Sequence, residues 1–228
     1  MIAQYDSDSN DVKLVSILRD TYVSIPGYQK KQKINAAFML GGPELLRQTI
    51  KEQFDVDIHY YAIVDFNGFK AAVDAVFPEG IEIDVQQEMS KGLYVTLQPG
   101  VQNLNGKELL EYARYRGDIR SDFGRVDRQQ EVLQAITDEL LSVQGVMSVP
   151  KLLGTIKPYI DTNLKNKEML SVLVSLLSSE NQKIETMRIP LDGTFKDVEL
   201  ADKWGTQVLE VDIEENKEAI GAFLNSEK

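Results

Sequence analysis

The chain has 228 residues, 43% of them hydrophobic, enough to bury a sizeable core at a length for which one domain is the default expectation. Lys and Arg number 25 against 36 Asp and Glu, so the formal charge is −11, and such a surface repels nucleic acid and anionic lipid at long range. The absence of cysteine excludes disulfides, thiolate metal sites and cysteine nucleophiles. The longest apolar run, Met169 to Leu177, is broken by Ser171 and Ser175 and is too short for a bilayer.

No basic segment followed by an apolar run opens the chain, so no signal peptide is read from it. Met1 to Tyr5 and Val12 to Ile17 predict a hairpin around Asp6-Ser7-Asp8-Ser9-Asn10. Pro26-Gly27 marks a loop, and Gly41-Gly42-Pro43 opens a predicted helix through Phe54 with Leu45, Leu46, Thr49 and Ile50 on one face. Ile58 to Val64, β-branched and aromatic, reads as a strand, followed by a helix from Asn67 to Val76. A short strand at Ile81 to Val85, a turn at Pro99-Gly100 and a helix from Gly106 to Tyr112 come next. A long helix is predicted over Gly124 to Ser142, with Val132, Leu133, Ile136, Leu140 and Leu141 as its apolar stripe. Helices near Val149 to Lys157 and Lys167 to Ser178, strands at Thr186 to Pro190 and Gln207 to Val211, and a helix from Glu214 to Leu224 complete the chain. Strands interleaved with helices predict the α/β class: an α-β-α layered sandwich with a central, mixed β-sheet, in one domain over 1–228.

Five of the eight arginines, at 114, 116, 120, 125 and 128, fall within fifteen residues. If Tyr112 to Arg116 is extended, Arg114 and Arg116 share a face; on the helix that follows, Arg125, Arg128 and Gln129 share another. Arginine presents a planar fork of donors that matches phosphate oxygens, so converging arginines suit a diphosphate. The same residues also suit a solvated ion network with Asp118, Asp122 and Asp127, and spacing alone leaves both readings open. His59 reads as structural or exposed, and Trp204 and Tyr60-Tyr61 as packing residues. The sequence has no GxxxxGK loop, no HExxH helix and no nucleophile elbow.

Several blocks together resemble the LytR-CpsA-Psr family. They are Val15-Ser16-Ile17-Leu18-Arg19-Asp20-Thr21-Tyr22-Val23 with Ile25-Pro26-Gly27, and Lys33-Ile34-Asn35-Ala36-Ala37-Phe38 with Gly41-Gly42-Pro43-Glu44. Tyr60-Tyr61 through Val64-Asp65-Phe66 with Gly68-Phe69 follows. Leu104-Asn105-Gly106 then leads into Tyr112-Ala113-Arg114-Tyr115-Arg116, and Asp122-Phe123-Gly124-Arg125 into Arg128-Gln129-Gln130. The resemblance is strongest over 1–142, and Leu18 stands where the family commonly has proline.

The resemblance implies a phosphotransferase that attaches a polyprenyl-pyrophosphate-linked anionic glycopolymer, whether teichoic acid, capsule or a related wall glycan, to peptidoglycan. It implies that Arg19, Arg114, Arg116, Arg125 and Gln129 contact the pyrophosphate, with Arg128 a further candidate and Lys33 and Asn35 either bordering the pocket or stabilising a turn. Asp122 would orient an arginine or accept a proton from the attacking hydroxyl, and orientation is favoured because an acid among arginines is a weak base. An isoprenoid chain would lie along the stripe of the long helix. The resemblance further implies an N-terminally truncated chain whose membrane anchor and Mg2+ ligands lie before residue 1, acting at the outer face of the cytoplasmic membrane of a Gram-positive bacterium. A polyprenyl-phosphate-binding module without transferase activity is the alternative. The charge and the absence of a recognisable helix-turn-helix argue against a nucleic acid partner.

Overall fold

The computed structural model describes residues 1–6, 11–117, 121–142, 149–178 and 183–226, and the predicted hairpin turn at 7–10 lies outside them, as do Asp118 and Arg120. The chain divides into two compact units, one built from Met1–Asp6, Asp11–His59 and Ile184–Lys228, the other around Tyr60–Lys183.

In the first unit, β1 (Ile2–Tyr5) and β2 (Val12–Ile17) pair antiparallel with Ile2 opposite Val15, both buried. β3 (Thr21–Val23) and β4 (Gln32–Lys33) pair antiparallel with Tyr22 opposite Lys33. Neither short strand is foreshadowed by alternation in the sequence. The helical run α1 (Ile34–Phe54) begins seven residues before the predicted Gly41 start and is interrupted at Gly41 and Gly42, the latter at φ 64° and ψ −159°. Glycine reaches that backbone region without steric cost, and Pro43, with φ fixed and no N–H to leave unbonded, suits the first turn of the second half.

The second unit runs through β5 (Ala62–Ile63), α2 (Phe66–Val76), β6 (Ile81–Val85), β7 (Gly100–Leu104) and α3 (Gly106–Arg114), then α4 (Ser121–Ser142), α5 (Val149–Ile156), β8 (Asp161–Thr162) and α6 (Asn166–Ser178). The strand predicted over Ile58 to Val64 shrinks to β5, which pairs antiparallel with β8. Asp65 caps α2 by accepting the Gly68 N–H at 2.6 Å, and Asn105 and Glu108 form a capping box at the start of α3. Strict alternation in β6 turns Ile81, Ile83 and Val85 into the core, where they meet Leu109, Tyr112 and Val132. α3 approaches α2 closely at Gly106, where a Cβ would overlap the Lys70 carbonyl oxygen and lie 2.8 Å from its Cα. Of the predicted stripe on α4, Val132 is buried, Ile136 and Leu140 pack against the core while partly exposed, and Leu133 and Leu141 are half-buried.

The chain then returns to the first unit with β9 (Ile184–Ile189), β10 (Phe195–Glu199), β11 (Gln207–Val211) and α7 (Ile213–Asn225). β9 lies parallel to β2, giving a mixed sheet in the order β1-β2-β9; β11 lies parallel to β3, giving a second mixed sheet in the order β10-β11-β3-β4. Asn216 is fully buried, donating to Thr194 Oγ1 at 2.8 Å and accepting the Leu191 N–H at 2.9 Å, so the turn after β9 is fixed to α7. The fold is thus α/β with mixed sheets, as the interleaved pattern predicts. Trp204, expected to pack, is instead 78% exposed with the Lys203 ammonium over its ring, and Tyr60 is also exposed. No described helix is long and apolar enough to cross a membrane.

Candidate functional site

In the first unit, Arg19 and Asp20 form the turn between β2 and β3, closed by the Thr21 N–H and hydroxyl donating to the Leu18 carbonyl at 3.1 and 2.6 Å. The Asp20 carbonyl accepts from Leu209 N–H at 2.9 Å and the Arg19 carbonyl from Asn35 N–H at 3.4 Å, so neighbouring elements hold this turn on both sides. Pairing of β3 with β4 brings Lys33 to the same place. Its ammonium lies 2.6 Å from Asp20 Oδ1, while Arg19 Nε lies 3.3 Å from Oδ2. Burial of the Asp20 carboxyl opposes ionisation, but the Lys33 hydrogen bond and the Arg19 and Lys33 charges outweigh it and hold the group below the ordinary carboxylate range. Arg19, Lys33 and Asp20 are therefore brought together, whereas Asn35 is exposed at the start of α1 and joins through its backbone. Asp20 was not singled out by spacing; its position next to Arg19 at a strand end was the available signal.

In the second unit, the extended conformation considered for Tyr112 to Arg116 is not adopted. Tyr112, Ala113 and Arg114 are the end of α3, because Tyr112 and Ala113 belong to the core, and only at Tyr115, with φ −56° and ψ 138°, does the backbone leave the helix. Arg114 and Arg116 are exposed on either side of the buried Tyr115. Arg114 sits in the last helical turn, where a cation suits the helix dipole, 3.4 Å from the buried Glu111 carboxylate and with its guanidinium 4.6 Å from the centre of the Phe66 ring. Glu111 also accepts the Tyr94 N–H at 3.2 Å. Glu111 and Phe66 escape a reading based on arginine spacing, since each reaches Arg114 through helix periodicity or tertiary packing.

Arg116 and Arg125 converge on one oxygen: Asp122 Oδ1 lies 3.0 Å from Arg116 Nε and 3.2 Å from Arg125 Nη1. Two guanidinium groups beside one carboxylate leave a net positive charge and N–H donors for a further anion. Arg116 is 38% exposed in its side chain and Arg125 13%, so the pair presents one outward and one recessed cation. Arg128 turns inward, donating to the Tyr115 carbonyl, and Gln129 follows it, half-buried. Beneath them the Tyr112 hydroxyl donates to Glu131 at 2.6 Å; burial and that carboxylate push its pKa far up, so it remains a donor. Both open readings of the arginines thus have a physical counterpart: the ion pairs exist, and they orient guanidinium groups that retain donors. Among the described residues no three or more Asp, Glu or His stand together as a metal site.

The LytR_cpsA_psr family model matches residues 1–220. The chain is 39% identical over 227 residues to the regulatory protein MsrR of Staphylococcus aureus, an alignment covering all of this chain and 68% of that protein. It is 32% identical over 198 residues to the polyisoprenyl-teichoic acid–peptidoglycan teichoic acid transferase TagV of Bacillus subtilis, covering 83% of this chain and 50% of that protein. The crystal structure of B. subtilis TagV superposes with a TM-score of 0.81 at 30% identity, covering 99% of this chain and 88% of that one. TagT bound to LI-WTA superposes with a TM-score of 0.76 at 26% identity, over 98% and 83%. The chain belongs to the LytR-CpsA-Psr family.

Proposed function

We propose that this chain is the catalytic domain of a phosphotransferase that moves a polyprenyl-pyrophosphate-linked anionic glycopolymer onto peptidoglycan, at the outer face of the cytoplasmic membrane where such a lipid-linked donor resides. The observation that carries the reading is the Arg116–Asp122–Arg125 cluster, a fixed pair of guanidinium groups in a chain of charge −11. Family membership and the teichoic acid transferase activity in the name of TagV support the substrate class.

In the reaction, a peptidoglycan hydroxyl oxygen bonds to the sugar-linked phosphorus, the bridging P–O bond breaks, polyprenyl phosphate leaves and the hydroxyl proton passes to solvent. Arg114, Arg116 and Arg125 supply charge-assisted donors for phosphate oxygens; charge building on the leaving phosphate is what such donors stabilise. Asp122 holds two of them in place; in the first unit Asp20 holds Arg19 and Lys33, donors of the same chemistry. The half-buried Leu133 and Leu141, on the helix that carries Arg125 and Gln129, suit contact with isoprenoid carbons.

The test is calorimetric titration with a polyprenyl pyrophosphate. A lost charge-assisted hydrogen bond costs roughly 1.5–3 kcal/mol, so Arg114→Ala and Arg116→Ala weaken binding on the order of tenfold to a hundredfold. Arg188→Ala, whose guanidinium is tied to Asp192 at 2.6 Å, leaves it unchanged. Equal affinities in all three variants would return the arginines to a surface ion network, and binding with no release of polyprenyl phosphate would favour a module without transferase activity.

A further inference from the structure

Arg128 belongs to the same run of arginines as Arg116 and Arg125, yet it is placed differently. Only 8% of it is exposed, its Nη2 donates to the main-chain carbonyl of Tyr115, and its guanidinium lies 5.2 Å from the centre of the Tyr115 ring. Tyr115 is itself buried, at 5%, between the exposed Arg114 and Arg116. On its other side the Tyr115 ring lies against Gly117, where an added Cβ would overlap the hydroxyl. Arg128 therefore grips Tyr115 twice, by carbonyl and by ring, at the point where the backbone leaves α3 and turns toward Arg116.

We propose that Arg128 is a positioning residue: in place of a phosphate contact, it clamps Tyr115 and so fixes the direction in which Arg116 is presented to the donor pyrophosphate. The inference rests on the transferase reading above for its ligand and on this packing for its mechanism. A flat guanidinium can stack on a ring while donating in its own plane to a carbonyl; a methionine fills similar space without donating, and a lysine keeps the charge without the flat stack. The buried guanidinium is anchored to a main-chain atom, so its removal releases the backbone of the neighbouring segment.

Two measurements on the full chain separate this from direct contact. The first needs no ligand: amide hydrogen exchange of peptides spanning 113–117 speeds up severalfold in Arg128→Met and by less in Arg128→Lys, while peptides from β9 are unchanged. The second is a double-mutant cycle with farnesyl pyrophosphate as the probe. Positioning predicts that Arg128→Met weakens binding about tenfold in the wild-type background and by less than about threefold once Arg116 is already Ala, because the arginine it aims is gone. Direct contact predicts the same loss in both backgrounds. Unchanged exchange at 113–117, or an additive cycle, overturns the proposal. If Arg128→Met does not fold, Arg128→Lys carries both measurements. If the wild-type chain fails to bind the probe, the transferase reading falls while the exchange measurement still decides the role of Arg128.

Discussion

Replacing Asp122 tests whether this carboxylate orients arginines or takes a proton. Its Oδ1 lies between Arg116 at 3.0 Å and Arg125 at 3.2 Å, an arrangement that sets that oxygen between two cations at ion-pair distance. The Arg116 arm is more than a third exposed, and pairs of that kind contribute about 0.2–1 kcal/mol. The Arg125 arm is recessed, and removing the partner of a buried charge costs about 2–5 kcal/mol in full burial. Asp122 is itself a quarter exposed, so the lower end of that range applies, and Asp122→Ala loses about 2–3 kcal/mol. At about 2–4 °C per kcal/mol for a chain of this size, its Tm falls by roughly 4–12 °C. Asp122→Asn keeps an acceptor in the same place and loses about half as much. If Asp122 orients, the two variants weaken donor binding in the same order as they lose stability, and turnover in Asp122→Asn falls about tenfold. If it accepts the proton, both lose about 10²–10⁴ in kcat with donor affinity nearly intact. Thermal melts, donor titration and single-turnover assays measure all three quantities. A fall in kcat beyond about a hundredfold in Asp122→Asn at unchanged Kd would refute the orienting role.

Asp20 gives a pH signature. Its folded pKa lies below the unfolded one, so its contribution to stability is complete above the ordinary aspartate value, about 3.9, and is lost as the pH falls through the folded value. Urea melts are expected to show Asp20→Asn less stable than wild type at neutral pH, with the difference narrowing toward acid; a constant difference would remove the Lys33 and Arg19 pairing as its cause. Gly106→Ala adds a methyl where α3 meets the α2 backbone at Lys70, an overpacking worth about 1–3 kcal/mol, and lowers Tm by roughly 2–12 °C. An unchanged melt there would mean that the two helices can separate without cost.

The elements that were legible in the sequence are those whose own residues settle their conformation. The alternation Ile81-Glu82-Ile83-Asp84-Val85 marks a half-buried strand, Asp65 and Asn105 are capping residues ahead of helices, and the hairpin strands at Ile2–Tyr5 and Val12–Ile17 lie close in sequence. β3, β4 and β8, of two or three residues, and the largely polar β7 and β10, were not legible, because such segments become strands only when another segment supplies the hydrogen bonds. The first half of α1, from Ile34 to Leu40, was missed for a related reason: Gly41-Gly42 reads as the beginning of a helix when it is a break between two halves.

The sequence by itself determined the α/β class, the family and the concentration of arginines between 114 and 128 in an acidic chain, since composition, periodicity and ordered motifs are properties of the chain alone. Only the tertiary structure decided what each arginine does. Arg116 and Arg125 meet on a single oxygen of Asp122, Arg114 turns to Glu111 and Phe66, Arg128 disappears beneath Tyr115, and Lys33 reaches Asp20 only because β4 pairs with β3. The physical reason is that a guanidinium on a long side chain can serve water, an acid, an aromatic face or a carbonyl with similar intrinsic ease, and the choice among them is made by which partner the packed backbone brings within about 3 Å.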